Sequence, residues 1–346
     1  MDSKQFGAKL LSLYTGSMLT KMIDIGYDTG LFEASRAGPA TSAELAERAG
    51  LKERYVREWL GAMASGGVYS YDAASGRYEL PAEHAALLTG KAAQNLAPHA
   101  KIVEHFGSHL PKVKACFREG GGVPYSAYRP VFTQCMDDVW RRIYDEMLLP
   151  GFIGAVPGLR GALEKGQEVL DVGCGTGHAV NVMASAFPKS RFVGYDIGED
   201  AIASARKEAH ELGLGNARFE VRDVAELPAR PKFDLITAFD AIHDQRDPDA
   251  VLRGVRRALA DGGMFLMIDF KFSSRLEENL ANPFAPLYYG TSLLHCMTVS
   301  LAAGGKGLGT VWGEQLAREM LRDAGFGSIE VLDTPRPQNY MFVCRA

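Results

Sequence analysis

The chain has 346 residues, of which 47% are hydrophobic and 23% charged, with a formal net charge of -4. This length exceeds what one hydrophobic core usually fills, so two domains are expected. No apolar run approaches the roughly 20 residues that a membrane span needs, and the first residues are polar, unlike a secretory signal. The charge gives no field that attracts nucleic acid or an anionic membrane. We therefore expect a soluble, cytoplasmic protein that acts on a small molecule.

The five cysteines are scattered singly, and none belongs to a Cys-x-x-Cys pair. They are Cys116, Cys135, Cys174, Cys296 and Cys344. Neither a disulfide framework nor a zinc cluster is predicted from this spacing. We expect reduced thiols and no bound metal.

Residues 1–100 have the pattern of helices followed by a short hairpin. Thr41 and Glu44 have the spacing of a capping box, and Gly50 is placed to end the helix that they begin. A second helix is predicted to bury one stripe, formed by Val56, Trp59, Leu60 and Met63. Two short apolar segments then flank residues 72–76, as in a hairpin. This order resembles a winged-helix domain.

DNA binding is one function of such domains, but the charges here do not favour it. Lys52, Arg54 and Arg57 on the second helix alternate with Glu53 and Glu58, and residues 1–100 hold ten Lys or Arg against eleven Asp or Glu. Attraction to phosphate is therefore weak. We expect a dimerisation or substrate-covering module, and hence a homodimer, while a DNA-binding module remains the alternative. Residues 101–165 are predicted to be a helical connector.

A glycine-rich turn follows a buried-strand pattern at residues 168–172 and precedes a helical one at 178–187. Glycines let the backbone turn sharply and approach a ligand, and a helix amino end offers unpaired N–H groups. The spacing is Asp-x-Gly-x-Gly-x-Gly, unlike the Gly-x-Gly-x-x-Gly of dinucleotide enzymes. It resembles the first motif of class I methyltransferases. The resemblance implies that Asp171, Gly173, Gly175 and Gly177 hold the methionine portion of S-adenosyl-L-methionine.

Three later strand ends fit the same cofactor. Asp196 ends the second strand and could accept hydrogen bonds from both ribose hydroxyls, or else be a turn acid or a helix cap. Ile197 would cover adenine, and the resemblance implies that Asp223 after the third strand meets the adenine amino group. Val224 and Phe239 are also expected at the cofactor.

Strand patterns at residues 233–238, 262–268, 329–332 and 340–344 complete seven strands. The resemblance therefore extends in full order over residues 166–346. The predicted fold class is α/β, a Rossmann-like seven-stranded class I methyltransferase sheet with a mainly helical, winged-helix amino-terminal domain.

His243 follows the fourth strand, at the sheet edge where ligands bind in open α/β folds. Methyl transfer to a hydroxyl requires removal of a proton, and imidazole titrates in the useful range. We expect His243 to be this general base, oriented by Asp244 or by a second acid. The arrangement resembles small-molecule O-methyltransferases and bacterial methyltransferases of unassigned substrate. The alternative is that His243 only caps or packs the next helix.

Base methylation of nucleic acid is not favoured, because the chain lacks a Pro-Pro pair after the fourth strand and a Pro-Cys nucleophile. An insertion at residues 271–310 is expected to cover the acceptor, or else to pack as core. The residues expected at the acceptor are Trp140, Tyr144, Tyr288, Tyr289 and His295. Two alternatives remain: a methyltransferase-like transcriptional regulator, and an S- or N-methyltransferase that needs no base.

Overall fold

A computed structural model describes residues 1–227 and 232–345 of the chain. The chain divides into two compact units, Met1–Gly107 and Ser108–Ala346. Among the residues that are described, no helix combines the length and the apolar character that crossing a membrane requires.

The amino-terminal unit is mainly helical and contains one two-stranded sheet. Its elements are α1 (Ser3–Asp28), α2 (Leu31–Ser35), α3 (Ser42–Ala49), α4 (Glu53–Ser65), β1 (Ser70–Asp72), β2 (Arg77–Glu79), α5 (Ala82–Leu88) and α6 (Ala97–Ser108), whose last residue belongs to the second unit.

The predicted elements of this unit are present. Thr41 and Glu44 form both hydrogen bonds of a capping box at the start of α3, and Gly50 ends that helix with a φ of 67°. Helix α4 buries the predicted stripe around Trp59, and strands β1 and β2 pair antiparallel. These elements are the two helices and the wing of a winged helix.

The second unit alternates strands with helices. Its elements are α7 (Leu110–Glu119), a 3-10 turn (Tyr125–Ala127), α8 (Val131–Ile143), a π-helical segment (Tyr144–Ile153), α9 (Leu159–Lys165), β3 (Glu168–Val172), α10 (His178–Ala186), β4 (Arg191–Asp196), α11 (Glu199–Glu211), β5 (Ala217–Val221), a 3-10 turn (Val224–Glu226), β6 (Phe233–Phe239), α12 (Pro248–Ala258), β7 (Leu259–Phe270), α13 (Leu276–Asn279), α14 (Ala285–Thr291), a π-helical segment (Ser292–Cys296), α15 (Met297–Ala302), α16 (Gly313–Asp323), β8 (Ser328–Asp333) and β9 (Asn339–Arg345).

The seven strands of this unit form one sheet in the order β5-β4-β3-β6-β7-β9-β8. Strands β3 to β7, the first five of this sheet along the chain, pair in parallel, and β9 lies antiparallel between β7 and β8. Strands β3, β6 and β7 are buried along most of their length, with Leu170, Ile236 and Phe265 at 0% exposure. The chain reverses its direction of winding between β3 and β6, so their carboxyl ends are where a ligand is expected.

Candidate active site

The loop after β3 contains three glycines with left-handed φ angles, 73° at Gly173, 52° at Gly175 and 74° at Gly177. A Cβ atom at Gly173 would lie 2.6 Å from the Cβ of Ala241, and one at Gly177 would lie 2.5 Å from the ring of Phe219. Gly175 has open space in that direction. Packing thus requires the outer two glycines, while the middle one leaves room for a ligand.

Asp196, at the end of β4, holds this loop. Its Oδ2 atom accepts a hydrogen bond of 2.9 Å from the N–H of Gly175, and its Oδ1 atom accepts one of 2.7 Å from the N–H of Gly198. Burial raises the pKa of this carboxyl, although both hydrogen bonds oppose that effect. Each carboxylate oxygen has a second lone pair, so a ribose hydroxyl remains compatible with this geometry. Ile197, the next residue, is 52% exposed.

Asp171 is the penultimate residue of β3 and is 2% exposed. The hydroxyl of Thr237 on β6 donates a hydrogen bond of 2.6 Å to its Oδ1 atom. Burial nevertheless raises the pKa of Asp171 to about 7. A buried carboxyl of this kind is stabilised in its charged form by a cationic ligand group, such as an ammonium.

The residues expected near adenine have partners within the protein. The Asp223 carboxylate accepts a hydrogen bond of 2.9 Å from the N–H of Ala225 and caps the 3-10 turn that follows. Val224 is 2% exposed and belongs to the core of the second unit. In the structure Asp223 therefore caps this 3-10 turn, and its contact with adenine stays a prediction.

His243 is 1% exposed and lies beyond the carboxyl end of β6. Its Nδ1 atom is 2.9 and 3.0 Å from the two carboxylate oxygens of Asp269, which is also 1% exposed. Its Nε2 atom is 3.4 Å from Oδ1 of Asp244. A carboxylate at Nδ1 fixes the proton there, so Nε2 carries the free lone pair of the neutral ring.

The charges around His243 also change its acidity. Burial alone lowers the pKa of the imidazole, but Asp269 and Asp244 outweigh burial and hold that pKa well above its usual value. Asp269 was not predicted from the sequence, because it lies on β7, twenty-six residues beyond His243. The signal that points to it is an acid at the end of the apolar, buried run of residues 263–268 in that strand.

Asp240 is a second residue that sequence analysis did not single out. Among the residues described, it is the one non-glycine with a left-handed backbone, at a φ of 47°. Its Oδ1 atom accepts a hydrogen bond of 3.1 Å from the side-chain amide of Asn339 on β9. Burial, followed by the charge of Asp269, raises its pKa to about 8. Backbone strain of this kind clusters at ligand sites.

Aromatic side chains gather at the end of β6. The rings of Trp140 and Tyr144 stack with centroids 5.1 Å apart, and Tyr144 lies 5.2 Å from the ring of Phe239. Burial raises the pKa of Tyr144, and the charges of Asp171 and Asp240 raise it further. Both predicted aromatic residues therefore lie at this edge of the sheet, and Tyr144 is close enough to Asp171 to feel its charge.

The three residues of the insertion that are predicted to contact the acceptor differ in their burial and in their neighbours. His295 is fully buried, with Nδ1 3.9 Å from Oδ2 of Asp244. The ring of Tyr288 lies 4.7 Å from that of Phe270, the residue after Asp269. Tyr289 is 37% exposed, and its hydroxyl accepts a hydrogen bond from Asn279 within the same insertion. The structure thus brings His295 and Tyr288 towards His243, whereas the hydroxyl of Tyr289 is held by Asn279.

Two family profiles match the chain. Residues 163–325 match a family described as "Methyltransferase domain", and residues 17–90 match the "Rv2258c-like winged HTH domain". Among curated relatives, the trans-aconitate 2-methyltransferase of Variovorax paradoxus is 34% identical over 129 residues, which is 36% of this chain and 46% of that protein. The fatty-acid O-methyltransferase of Mycolicibacterium smegmatis is 33% identical over 106 residues, or 30% of this chain and 38% of that protein.

The chain thus spans less than two thirds of these curated relatives. Human N-acetylserotonin methyltransferase in complex with SAM matches the whole fold, with a TM-score of 0.71, 18% identity and 100% of both chains covered. A candidate O-methyltransferase from Nostoc punctiforme gives a TM-score of 0.77 at 18% identity, again over 100% of both chains. Residues 163–325 therefore match the methyltransferase domain family, residues 17–90 match a winged helix-turn-helix domain, and the whole chain has the fold of these solved methyltransferases.

Proposed function

We propose that the protein transfers a methyl group from S-adenosylmethionine to a hydroxyl of a small organic acceptor, with His243 as general base. The observation that carries this proposal is the His243–Asp269 pair at the carboxyl end of the parallel strands. Asp269 holds Nδ1 at 2.9 Å and thereby leaves the Nε2 lone pair for a proton. An imidazole held by a carboxylate in this way is a common general base.

The residues at the loop after β3 fit the cofactor. Open space at Gly175 accommodates a ligand, and Asp171 offers a buried carboxylate to an ammonium group. The residues proposed to hold the cofactor are Asp171, Gly173, Gly175, Gly177, Asp196, Ile197, Asp223, Val224 and Phe239. S-adenosylmethionine supplies a methyl group that is already activated. The protein then has to align the acceptor oxygen with it and to accept the hydroxyl proton at Nε2 of His243.

The acceptor is proposed to lie against the aromatic cluster and the insertion, with contributions from Trp140, Tyr144, Tyr288, Tyr289 and His295. Asp244 is proposed to help orient the imidazole. An acceptor that needs no base, such as an amine or a thiolate, remains the second candidate. A carboxylate is another acceptor that needs no base, because its oxygen is already ionised. The names of two curated relatives point to such acceptors, since trans-aconitate and fatty acids carry carboxylates.

Titration calorimetry tests cofactor binding directly. We expect S-adenosylmethionine and S-adenosylhomocysteine to bind in the micromolar range with one site per chain. Methyl transfer is then measured with labelled cofactor against a panel of hydroxyl, carboxyl, thiol and amine compounds. Turnover of hydroxyl compounds supports the proposal, whereas turnover confined to carboxylates, thiols or amines supports an acceptor that needs no base.

Cofactor affinity is expected to depend on pH through Asp171. Its pKa of about 7 means that the carboxyl is protonated below neutral pH in the free protein. Because the ionised form pairs with the ammonium of the cofactor, affinity should be full above pH 7 and fall by about tenfold per unit as the pH drops below it. Calorimetry with S-adenosylhomocysteine between pH 5 and 9 measures this. Asp171→Asn should bind weakly with a flat profile, and an unchanged slope in that variant would exclude Asp171 as the source.

The amino-terminal unit bears on the choice between an enzyme and a regulator. On α4, Arg57 lies 3.3 Å from Glu53, and Arg54 pairs with Glu58 one turn further along. These cations are already neutralised by acids on the same helix, which weakens attraction to DNA phosphate. We therefore propose that the unit joins two copies of the chain.

Helix α1 supplies a surface for this homodimer. Leu11, Tyr14 and Met18 share one helical face and are 67%, 61% and 61% exposed. We expect the double variant Leu11→Asp, Met18→Asp to be monomeric in light scattering, with cofactor affinity retained. Lys9→Asp, on the opposite face, is the matched control and should remain dimeric. A monomeric wild-type protein at micromolar concentration would contradict the proposal, as would tight, salt-sensitive binding to a DNA duplex.

A further inference from the structure

Three side chains with different ligand chemistry meet beside the imidazole of His243. One ligand atom each of His243, Asp244 and Cys296 lies within 4.8 Å of the other two. The histidine and the aspartate follow β6, and the cysteine ends the π-helical segment Ser292–Cys296. Cys296 is 5% exposed and not in a disulfide, and the hydroxyl of Thr310 lies 2.9 Å from its sulfur.

The surroundings orient these atoms in the way that metal sites do. Asp269 holds Nδ1 of His243, so the lone pair of the neutral ring lies on Nε2 and faces the cluster, and a carboxylate on the other ring nitrogen is the usual partner of a histidine that binds a metal. The Oδ1 atom of Asp244 is buried, finds no hydrogen-bond partner among the described residues, and lies 3.4 Å from that Nε2 atom. When the imidazole is neutral, this buried oxygen has no donor, which is a costly feature that a bound cation would relieve.

We propose that His243, Asp244 and Cys296 bind one zinc ion per chain. Nitrogen, oxygen and sulfur ligands together suit Zn²⁺, which takes four ligands in a tetrahedron, and three protein ligands leave the fourth position open. On binding, the thiol of Cys296 loses its proton to solvent, while the proton on Nδ1 of His243 stays with Asp269. The sequence has no closely spaced pair of cysteines or histidines that would predict this site. Residues 243 and 244 come close to residue 296 only in the folded protein.

Zinc at this position has a consequence for catalysis. The ion occupies the Nε2 lone pair of His243, so the zinc-loaded protein has no base at that atom. This consequence rests on the proposed function, whereas zinc binding itself does not. We expect zinc to inhibit methyl transfer to a hydroxyl acceptor and a chelator to restore it. Zinc that binds and leaves hydroxyl methylation unchanged would support the metal site and contradict the proposed base.

Cobalt is the spectroscopic probe of the site. Added to the full chain, Co²⁺ should give a near-ultraviolet thiolate-to-metal band and the visible bands of tetrahedral coordination, saturating at one equivalent and disappearing when zinc is added. Cys296→Ser should abolish the thiolate band and weaken zinc binding by at least the roughly tenfold to hundredfold that loss of an outer-shell partner costs. Cys116→Ser is the control and should retain both properties.

A second variant keeps the test independent of folding. Asp244→Asn should retain the thiolate band but weaken zinc, and circular dichroism checks that each variant is folded. Absence of a thiolate band in the wild-type protein would overturn the proposal. Its survival in folded Cys296→Ser would overturn it as well, because the sulfur ligand would then be another cysteine.

Discussion

Replacement of His243 by Gln is expected to lower kcat for a hydroxyl acceptor by about a hundredfold to ten-thousandfold, which is the usual contribution of a general base. Glutamine keeps much of the size of imidazole but cannot accept the proton. Affinity for S-adenosylmethionine should change little, because His243 lies beyond the end of β6 and not in the glycine loop. Initial rates and calorimetry on the same preparation measure both quantities.

The pH profile separates a base from a packing residue. His243 must be unprotonated at Nε2 to act, and Asp269 and Asp244 hold its pKa above 6.5 against the effect of burial. Activity should therefore rise with pH and be lost as the pH falls through this raised pKa. In Asp269→Asn, the rising limb should move to lower pH and kcat should drop, since the imidazolium loses its counter-charge.

His178 provides the matched control. It is also largely buried and bound to carboxylates, with Nδ1 2.9 Å from Glu208 and Nε2 2.8 Å from Asp145. His178→Gln should lower the free energy of unfolding and leave the pH profile of the folded enzyme in place. If His243→Gln behaves in the same way, with full activity across the pH range, His243 is structural and the acceptor needs no base.

The second large effect is expected at the glycine loop. Gly175→Val should weaken S-adenosylhomocysteine binding by a hundredfold or more, about 2.7 kcal/mol or greater, because its side chain would fill the open space above the loop. Gly213→Val is the matched control, since Gly213 also has a left-handed φ, 66°, and open space around its Cβ. Both variants should lose about 1 to 2 kcal/mol of stability from backbone strain. Equal affinities of the two folded variants for S-adenosylhomocysteine would show that the cofactor does not bind at this loop.

The local elements were predictable because their signals lie within short stretches of sequence. The capping box at Thr41, the stripe on α4 and the strand before the glycine loop each follow from spacing that one element contains. The confirmed order of strands and helices along the chain followed from the same kind of signal, since β3, β4, β6 and β7 each contain a short apolar run that is followed by a helical segment.

The partners in the site were not predictable in this way, because they depend on which strands become neighbours. Asp269 reaches His243 since β7 pairs with β6, and Asn339 reaches Asp240 since β9 inserts antiparallel beside β7. The role of Asp196 in holding Gly175 also needs the pairing of β4 with β3. Such contacts join residues tens of positions apart, and no local pattern encodes them.

A crystal structure of the protein with S-adenosylhomocysteine would show whether cofactor and His243 are placed for methyl transfer. We predict that the sulfur lies above the glycine loop, at about 6 to 8 Å from Nε2 of His243, which is the span of one methyl group, one acceptor oxygen and a hydrogen bond in line. We also predict that the ammonium group of the ligand lies at Asp171. A sulfur separated from His243 by packed side chains, or a ligand bound at another edge of the sheet, would contradict it.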